Sequence, residues 1–330
     1  IKKCPVLQQK PFCFPLFFGI LNRKYLLPER KLSMGKKSSK PFKKAYLEIT
    51  NVCNLNCSFC PKTKRSSCFV TTEKFLHLID EVTPFTDYVY FHLMGEPLLH
   101  PNLKEFFTIC GERGLKVSLT TNGTLLKEKQ DILLSSPSLY RVSISVHSFE
   151  ANQTGQTLEE YLQDILQFCA LASQQTKTYC VLRLWNKDSA VLKAANQRNV
   201  DIFHQVREFF HLDFDPAEAL EHKPSISLCD RVYLETAEKF SWPDIQQQES
   251  FDSVFCHGLR DQFGVLVDGT IVPCCLDSEG NIDLGNIYEK PLSEILSSPR
   301  AKALYDGFSR RTPSEELCRR CGYAQRYSIL

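Results

Sequence analysis

The sequence lacks several features that would assign it to a common class of protein. It has no apolar run long enough to cross a membrane, so we expect no membrane-spanning segment. It has no glycine-rich phosphate loop and no convincing Ser-His-Asp set, which removes the usual signals of phosphate-loop enzymes and serine hydrolases. Its eight histidines show no metal-binding spacing.

A strong net charge is also lacking, because two opposite charges cancel. The formal net charge is +2 at pH 7. Residues 1–44 hold twelve Lys and Arg against one acid, Glu29, whereas the rest of the chain holds 28 basic and 37 acidic residues. An acidic body does not favour a nucleic-acid surface, and we expect neither nucleic acid nor a membrane as a partner.

Cysteine, by contrast, is abundant, with 15 residues in a chain of 330. In a small secreted chain such a number would indicate a disulfide framework. This chain is large, has no clear secretory signal and carries several of its cysteines in tight groups. Grouped cysteines in a large intracellular protein indicate metal binding, and we predict a cytoplasmic location.

The N-terminal region differs in composition from the rest of the chain. Residues 1–33 contain a short apolar run flanked by basic residues, which is one pattern of a signal-like or membrane-touching segment. Pro15 interrupts the run and no small-residue cleavage site follows it. We therefore favour the interpretation that the native chain starts at Met34, and that residues 1–44 are a basic lead-in of which 1–33 need not be native.

From residue 45 onward, strand patterns alternate with helical patterns. Five strands and a candidate sixth are predicted, in order, at 45–50, 87–93, 115–121, 141–147, 178–185 and 210–214. The helices that separate them are predicted at 71–82, 102–114, 125–136, 158–175 and 188–209. Such alternation predicts parallel strands in an α/β sheet or barrel, with the chemistry at the C-terminal ends of the strands.

The second half of the chain is predicted to be organised differently. Residues 215–254 are less regular and are interpreted as a bridging segment after a core at 45–214. Residues 255–330 form a cysteine-rich second domain. Within it, the Asp268-Gly269 pair between two short apolar runs predicts a β-hairpin.

The first cysteine group follows the first predicted strand. Cys53, Cys57 and Cys60 have the spacing C-x3-C-x2-C. Three thiolates can hold three irons of a four-iron, four-sulfur cube and leave the fourth iron open to a small molecule. A zinc site is the alternative, but zinc usually takes four ligands and no fourth is near in the sequence.

This triad, with Phe59 just before its last cysteine, resembles the radical S-adenosylmethionine (SAM) superfamily. Residues 94–97, MGEP, resemble the GGEP motif of that family, with Met94 in place of the first glycine. The resemblance covers roughly residues 45–214 and implies a partial (β/α)6 TIM-like barrel. It also implies that the three cysteines hold a [4Fe–4S] cluster that binds SAM. The replaced glycine leaves a degenerate member without activity as an alternative.

The resemblance further implies contacts to SAM. The MGEP loop would meet the amino group of SAM, for which Glu96 and the loop carbonyls are suitable acceptors. Polar residues at the ends of the next strands would meet the ribose and the carboxylate, and Arg183 could pair with the carboxylate. The residues predicted to bind SAM are Phe59, Met94, Gly95, Glu96, Pro97, Thr121, Asn122, Ser143, Ser145 and Arg183.

The second cysteine group lies in the C-terminal domain. Cys256, Cys274, Cys318 and Cys321 resemble the first part of a SPASM domain, whose truncated twitch form holds one auxiliary four-iron cluster. Four thiolates saturate such a cluster, so electron transfer is its simplest role. Cys275 leaves the third ligand open, although Cys274 completes a Gly-x4-Cys spacing. A structural zinc ribbon is the alternative.

Together these resemblances imply a radical SAM enzyme. The reduced cluster would cleave SAM to methionine and a 5′-deoxyadenosyl radical, with a reductase such as flavodoxin or ferredoxin as electron donor. With an auxiliary cluster present, the most natural outcome is net oxidation of a small-molecule or peptide substrate. The alternatives are a ribosomal peptide- or protein-modifying maturase and, in another class, a zinc-stabilised binding protein without catalytic activity.

Overall fold

The computed structural model describes residues 40–151, 155–187, 197–248 and 250–327. Most of the predicted N-terminal lead-in, residues 1–39, therefore lies outside the described residues, as does the start of the predicted helix 188–209. None of the described helices combines the length and the apolar character that a membrane crossing requires. The predicted cytoplasmic location stays a prediction.

Strands and helices alternate through the described part of the chain. Their bounds are β1 (Lys44–Leu47), α1 (Thr72–Val82), β2 (Tyr88–Phe91), α2 (Leu103–Glu112), β3 (Lys116–Thr121), α3 (Leu126–Leu134), β4 (Leu139–Ser145), α4 (Leu158–Gln175), β5 (Tyr179–Lys187), α5 (Gln197–Phe210), α6 (Pro216–His222), β6 (Ser225–Cys229), β7 (Val232–Glu238), β8 (Gln262–Val265), β9 (Ile271–Val272), α7 (Leu292–Leu296), α8 (Pro299–Ser309) and α9 (Glu316–Arg319).

One sheet contains all these strands, in the order β6-β7-β5-β4-β3-β2-β1-β8-β9. The six strands from β7 to β1 in this order pair in parallel. β6 and β9 form its two free edges, so the barrel is open. The predicted α/β class with a partial (β/α)6 barrel is thereby confirmed.

The sixth parallel strand is not the predicted one. Residues 210–214 end α5 and continue into a turn, while β7 pairs in parallel with β5. Phe210 and Leu212 are buried beneath the end of the helix, which produced the strand-like alternation in the sequence. The segment interpreted as a bridge thus contributes to the sheet. The domain boundaries predicted at 214 and 254 stay a prediction.

The two faces of the sheet have different chemistry because side chains alternate along each strand. In β2, Val89 and Phe91 are fully buried in the hydrophobic core under the helices. Phe75 of α1 and Phe106 of α2 stack there, with ring centroids 3.8 Å apart. Tyr90, between the two buried residues, instead lines a cavity of about 790 Å³ on the inner face.

The predicted hairpin extends this sheet. β8 pairs in antiparallel fashion with β9 and in parallel with β1. Gly269 turns the chain with φ +96°, and a Cβ at this position would run into the ring of Tyr288. The pairing joins the C-terminal cysteine-rich region to the strand that leads into the first cysteine group.

Candidate functional site

The first cysteine group occupies the loop after β1. Cys57 is buried, Cys60 is half-buried and Cys53 is exposed. The amide of Cys60 donates to the carbonyl of Cys57 over 3.3 Å, and the amide of Leu55 donates to Cys53 Sγ over 3.5 Å. Burial, reinforced by Cys53 and Cys60, raises the pKa of Cys57 to about 12. A thiol with such a raised pKa ionises readily only against a cationic centre, which a cluster of irons supplies.

Phe59 anchors this loop against the ends of other elements. Its ring lies 4.6 Å from the ring of His147, which follows β4. Its carbonyl accepts a hydrogen bond of 3.0 Å from the indole of Trp242. Burial lowers the pKa of His147 to about 4, so this imidazole is neutral at pH 7. Phe59 therefore acts on the loop through packing and through its backbone.

The MGEP loop packs directly on the backbone that precedes Cys53. Gly95 has φ +78°, and a Cβ there would lie 2.5 Å from the carbonyl oxygen of Thr50. Only glycine fits such an approach. The amide of Glu96 donates to the carbonyl of Val52 over 2.8 Å. Met94, the departure from the family motif, is buried and leaves this Gly-Glu geometry intact.

The carboxylate of Glu96 binds the protein itself. It accepts from the amide of Asn122 over 2.7 Å and from the amide of Leu98 over 3.0 Å. Burial raises its pKa to about 7. Glu96 thus joins the MGEP loop to the loop after β3. In our proposal for the site, the ammonium of SAM therefore pairs with the loop carbonyls.

The loop after β3 also contacts the cysteine loop. Asn122 Nδ2 donates to Asn54 Oδ1 over 2.8 Å, and Tyr161 donates its hydroxyl to the carbonyl of Asn122 over 2.6 Å. Thr121 is buried, and its hydroxyl accepts from the amide of Gly123. These bonds place Asn122 one hydrogen bond away from the residue that follows Cys53.

Ser143, Ser145 and Arg183 line the cavity rather than the cysteine loop. Ser143 Oγ accepts from Arg141 Nε over 3.1 Å, and Ser145 is the register partner of Arg183. The guanidinium of Arg183 lies 3.5 Å from the centroid of the Trp185 ring, and its Nε has no hydrogen-bond partner. The roles predicted for these three residues in binding SAM stay proposals.

An ion pair that we did not predict connects the parts of the site. The fully buried carboxylate of Glu48 accepts two bonds from Arg65, of 2.7 and 2.8 Å. It also accepts from the amides of Met94 and Val267, over 3.3 and 2.9 Å. The only signal in the sequence was an acid within a strand of apolar residues, "AYLEIT". The pair joins the cysteine loop, the MGEP loop and the hairpin.

The second cysteine group surrounds the cavity from the other side. Cys256 precedes β8, Cys274 follows β9, Cys318 lies in α9 and Cys321 follows α9, and all four line the cavity. Burial raises the pKa of Cys274, and its neighbours Cys256, Cys275, Cys318 and Cys321 raise it further. The four thiols of the predicted ligand set are therefore close to one another.

Cys274 and Cys275 have different surroundings. Cys275 packs against the small apolar group that contains Tyr46 and Leu93, and it is hydrogen-bonded to Tyr46. The cations nearest to its thiol are Lys44 and Arg183. Cys274 lies near the four other thiols, whereas Cys275, although also near Cys256 and Cys321, has Tyr46 and the two cations as further neighbours. This difference supports Cys274 as the ligand, a choice that the sequence left open.

The two cysteine groups differ in size, with three thiols in the first and four in the second. A zinc ion draws its sulfurs to about 2.3 Å from one centre. Across the described ranges, no three His, Cys, Asp or Glu side chains are placed to hold one metal ion. A four-iron cube distributes its thiolates over separate irons and so spaces them more widely. Fold and cysteines together define an iron–sulfur enzyme on an open α/β barrel.

Comparison with known proteins assigns the family. Residues 47–183 match the model of the radical SAM superfamily, and residues 256–322 match that of the SPASM iron–sulfur cluster-binding domain. The chain thus carries a radical SAM domain and a SPASM domain, as the sequence predicted. Its cofactors are thus a [4Fe–4S] cluster with SAM and auxiliary iron–sulfur chemistry, and its radical SAM domain cleaves SAM to a 5′-deoxyadenosyl radical.

Individual relatives agree with this assignment. The GTP 3′,8-cyclase of Aquifex aeolicus is 25% identical over 284 residues, which cover 77% of this chain and 88% of that enzyme. The structure of BtrN with AdoMet and 2-DOIA has a TM-score of 0.51 at 17% identity and covers 86% of this chain and 93% of BtrN. The structure of Streptococcus suis SuiB with its precursor peptide SuiA has a TM-score of 0.55 at 16% identity. The match covers 86% of this chain and 71% of SuiB.

Proposed function

We propose that this radical SAM enzyme performs a net oxidation of its substrate and uses one auxiliary [4Fe–4S] cluster as electron acceptor. The observation that carries the proposal is a single cavity lined both by residues of the first cysteine loop and by the second cysteine group. Ser58 and Phe59 of the first cysteine loop line it at one end, and the second cysteine group lines it at the other. A substrate in this cavity would lie between the two centres.

In this proposal each of the two iron–sulfur clusters has its own set of cysteine ligands. Cys53, Cys57 and Cys60 hold the cluster that binds SAM, and Cys256, Cys274, Cys318 and Cys321 hold the auxiliary cluster. When bound, the first cluster and SAM supply a radical that removes a hydrogen atom from an unreactive carbon. The chain positions the loops through Gly95, Glu96 and Asn122, and Phe59, Trp185 and Trp242 exclude water from the cavity.

The electron balance of a net oxidation explains the second cluster. One electron enters when SAM is cleaved, and the substrate loses one hydrogen atom to the radical. The substrate radical then loses one electron and one proton, which forms the oxidised product. An auxiliary cluster held by Cys256, Cys274, Cys318 and Cys321 would offer an acceptor for that electron, and with return of the electron to the first cluster SAM would be the net oxidant. A reductase such as flavodoxin or ferredoxin would supply the first electron.

The cavity has room for a small molecule as substrate beside the space that the auxiliary cluster would take between the four cysteines in its wall. Its volume of about 790 Å³ lies within the range of roughly 300–1,000 Å³ that is usual for small-ligand sites. BtrN, which shares the fold, was crystallised with the small molecule 2-DOIA. SuiB, which also shares the fold, was crystallised with a precursor peptide. Modification of a peptide is therefore the second candidate.

We expect Cys321→Ala to separate SAM cleavage from substrate oxidation. The variant should fall from about eight to about four irons per chain and still form 5′-deoxyadenosine. It should lose the oxidised product that the unaltered enzyme forms in a small-metabolite extract, as followed by mass spectrometry. Cys275→Ala is the matched control and should keep about eight irons. Unchanged product formation by Cys321→Ala would rule out a redox role for the second cluster.

A further inference from the structure

The inner face of the barrel carries an excess of positive charge. Lys44 of β1, Arg141 of β4 and Arg183 of β5 line the cavity, whose acids are Glu235 of β7, Asp261 and Asp277. Asp261 is a neighbour of Lys44, whose amide donates to its carbonyl over 3.2 Å, but its carboxylate is already paired with Lys43 over 2.9 Å and with His257 over 2.7 Å. The carboxylate of Asp277 accepts from the amides of Asn281 and Ile282. The three cations therefore carry two more positive charges than Glu235, the acid available to them, can balance.

Two of these cations make no ion pair within the described residues, although Glu235 is the register partner of Arg183. Arg141 pairs with Glu235 over 3.5 Å. Lys44 Nζ makes no ion pair there and lies 5.0 and 5.2 Å from the ring centroids of Tyr46 and Tyr90. The guanidinium of Arg183 has no ion pair among these residues either, and it stacks on Trp185.

The surroundings of His92 show that the three cations face one region. This histidine is half-buried and lines the cavity, and its Nδ1 lies 3.1 Å from Thr120 Oγ1. Burial lowers its pKa to about 3, and the charges of Arg183, Lys44 and Arg141 lower it further in that order. The same point inside the barrel is therefore near all three side chains.

Unpaired cations in a cavity wall are costly in a free protein and favourable when an anion binds. A cation removed from water loses solvation that only a counter-ion or hydrogen bonds can replace. The fork of an arginine matches the two oxygens of a carboxylate or phosphate, and a lysine adds a point charge from another direction. Lys44 and Arg183 lie on strands at opposite sides of the open barrel.

We propose that Lys44 and Arg183 bind an anionic group of the substrate, a phosphate or a carboxylate, with Arg141 in support. This inference rests on the proposed function, because it places the substrate in the same cavity. The bound anion would lie on the wall near Cys275, whose thiol has Lys44 and Arg183 as its nearest cations. The part of the substrate to be oxidised would then extend toward the cysteine loop.

The test is a binding measurement without reductant. Inorganic pyrophosphate and succinate are titrated by calorimetry into the reconstituted full chain with SAM present. We expect one equivalent of at least one of them to bind. Lys44→Met should weaken that binding by about tenfold or more, as expected for the loss of a charge-assisted bond. The probe that binds identifies the substrate group as phosphate or carboxylate.

The neighbouring lysine provides the matched control. Lys43 is exposed and already paired with Asp261, so Lys43→Met should change the affinity by no more than about twofold. Arg183→Met is the second variant, and circular dichroism shows whether each variant is folded. If neither probe binds, or if both folded variants bind it like the unaltered chain, the anion site is wrong.

The outcomes also distinguish the anion site from a role of Arg183 in binding SAM and from the proposed oxidation. If Arg183→Met weakens SAM binding and leaves the probe unaffected, Arg183 serves the carboxylate of SAM and the anion site as proposed is wrong. If the unaltered enzyme forms 5′-deoxyadenosine but binds neither probe, only the anion site fails. If it binds pyrophosphate and oxidises nothing, the proposed oxidation fails while the anion site stands.

Discussion

Replacement of Cys57 by alanine is expected to abolish the formation of 5′-deoxyadenosine. Cys57 is the buried member of the first cysteine group, and its loss leaves two thiolates for a cluster that needs three. We expect the rate of SAM cleavage under dithionite to fall to less than about a thousandth, since the catalysed rate depends on the bound cluster. Liquid chromatography of the quenched reaction measures this rate directly.

Cys68→Ala is the matched control for this variant. Cys68 lies in the same connection between β1 and α1 but is exposed, and its amide, which donates to Asn51 Oδ1, is kept by alanine. Its cleavage rate should stay within about twofold of the unaltered enzyme, as is usual for surface substitutions. Full activity in Cys57→Ala would contradict the assignment of the cluster to this loop.

Replacement of Arg65 by methionine is expected to destabilise the protein strongly. Glu48 has no exposed side-chain surface, and Arg65 is its only counter-charge within hydrogen-bonding distance in the described residues. Removing one partner of a buried ion pair leaves an uncompensated charge, which costs about 3–5 kcal/mol. Urea unfolding followed by circular dichroism measures this change. The hairpin should loosen at the same time, because Arg65 also donates to the carbonyl of Ser278 over 2.9 Å.

Two further variants isolate the buried charge as the cause. Arg113 pairs with Asp80 at the surface over 3.1 Å, so Arg113→Met should cost less than about 1 kcal/mol. Adding Glu48→Gln to Arg65→Met removes the unpaired charge and keeps an oxygen for one of the two amides, those of Met94 and Val267, which donate to different oxygens of Glu48. The double variant should therefore recover part of the lost stability. Equal losses for Arg65→Met and Arg113→Met would contradict the role given to the pair.

Local patterns sufficed to predict most of the barrel. The helix predicted at 158–175 matches α4, because its apolar spacing is regular and Thr157 and Glu160 form a capping box at its start. The prolines at 216 and 224 led to the wrong prediction that the segment around them is irregular. Pro216 instead opens α6 in its first turn, where Asp215 caps the helix, and Pro224 precedes β6.

The candidate site, like the barrel, could be predicted from the sequence only in part. Cysteine spacing is local, so both cysteine groups could be located from the sequence. Glu48 and Val267 are 219 positions apart, and no pattern along the chain brings them together. The different directions of Cys274 and Cys275 depend on how the hairpin pairs with β1, which spacing does not encode. Long-range pairing therefore limited the prediction of the site.

The measurement that tests the central claim most directly is the iron and sulfide content after anaerobic reconstitution, together with 5′-deoxyadenosine formation from SAM and dithionite. We predict about eight irons and eight sulfides per chain, as two four-iron cubes require, with 5′-deoxyadenosine formed. About four irons with activity would keep the enzyme but remove the auxiliary cluster. Zinc without iron, and no cleavage of SAM, would contradict the account as a whole.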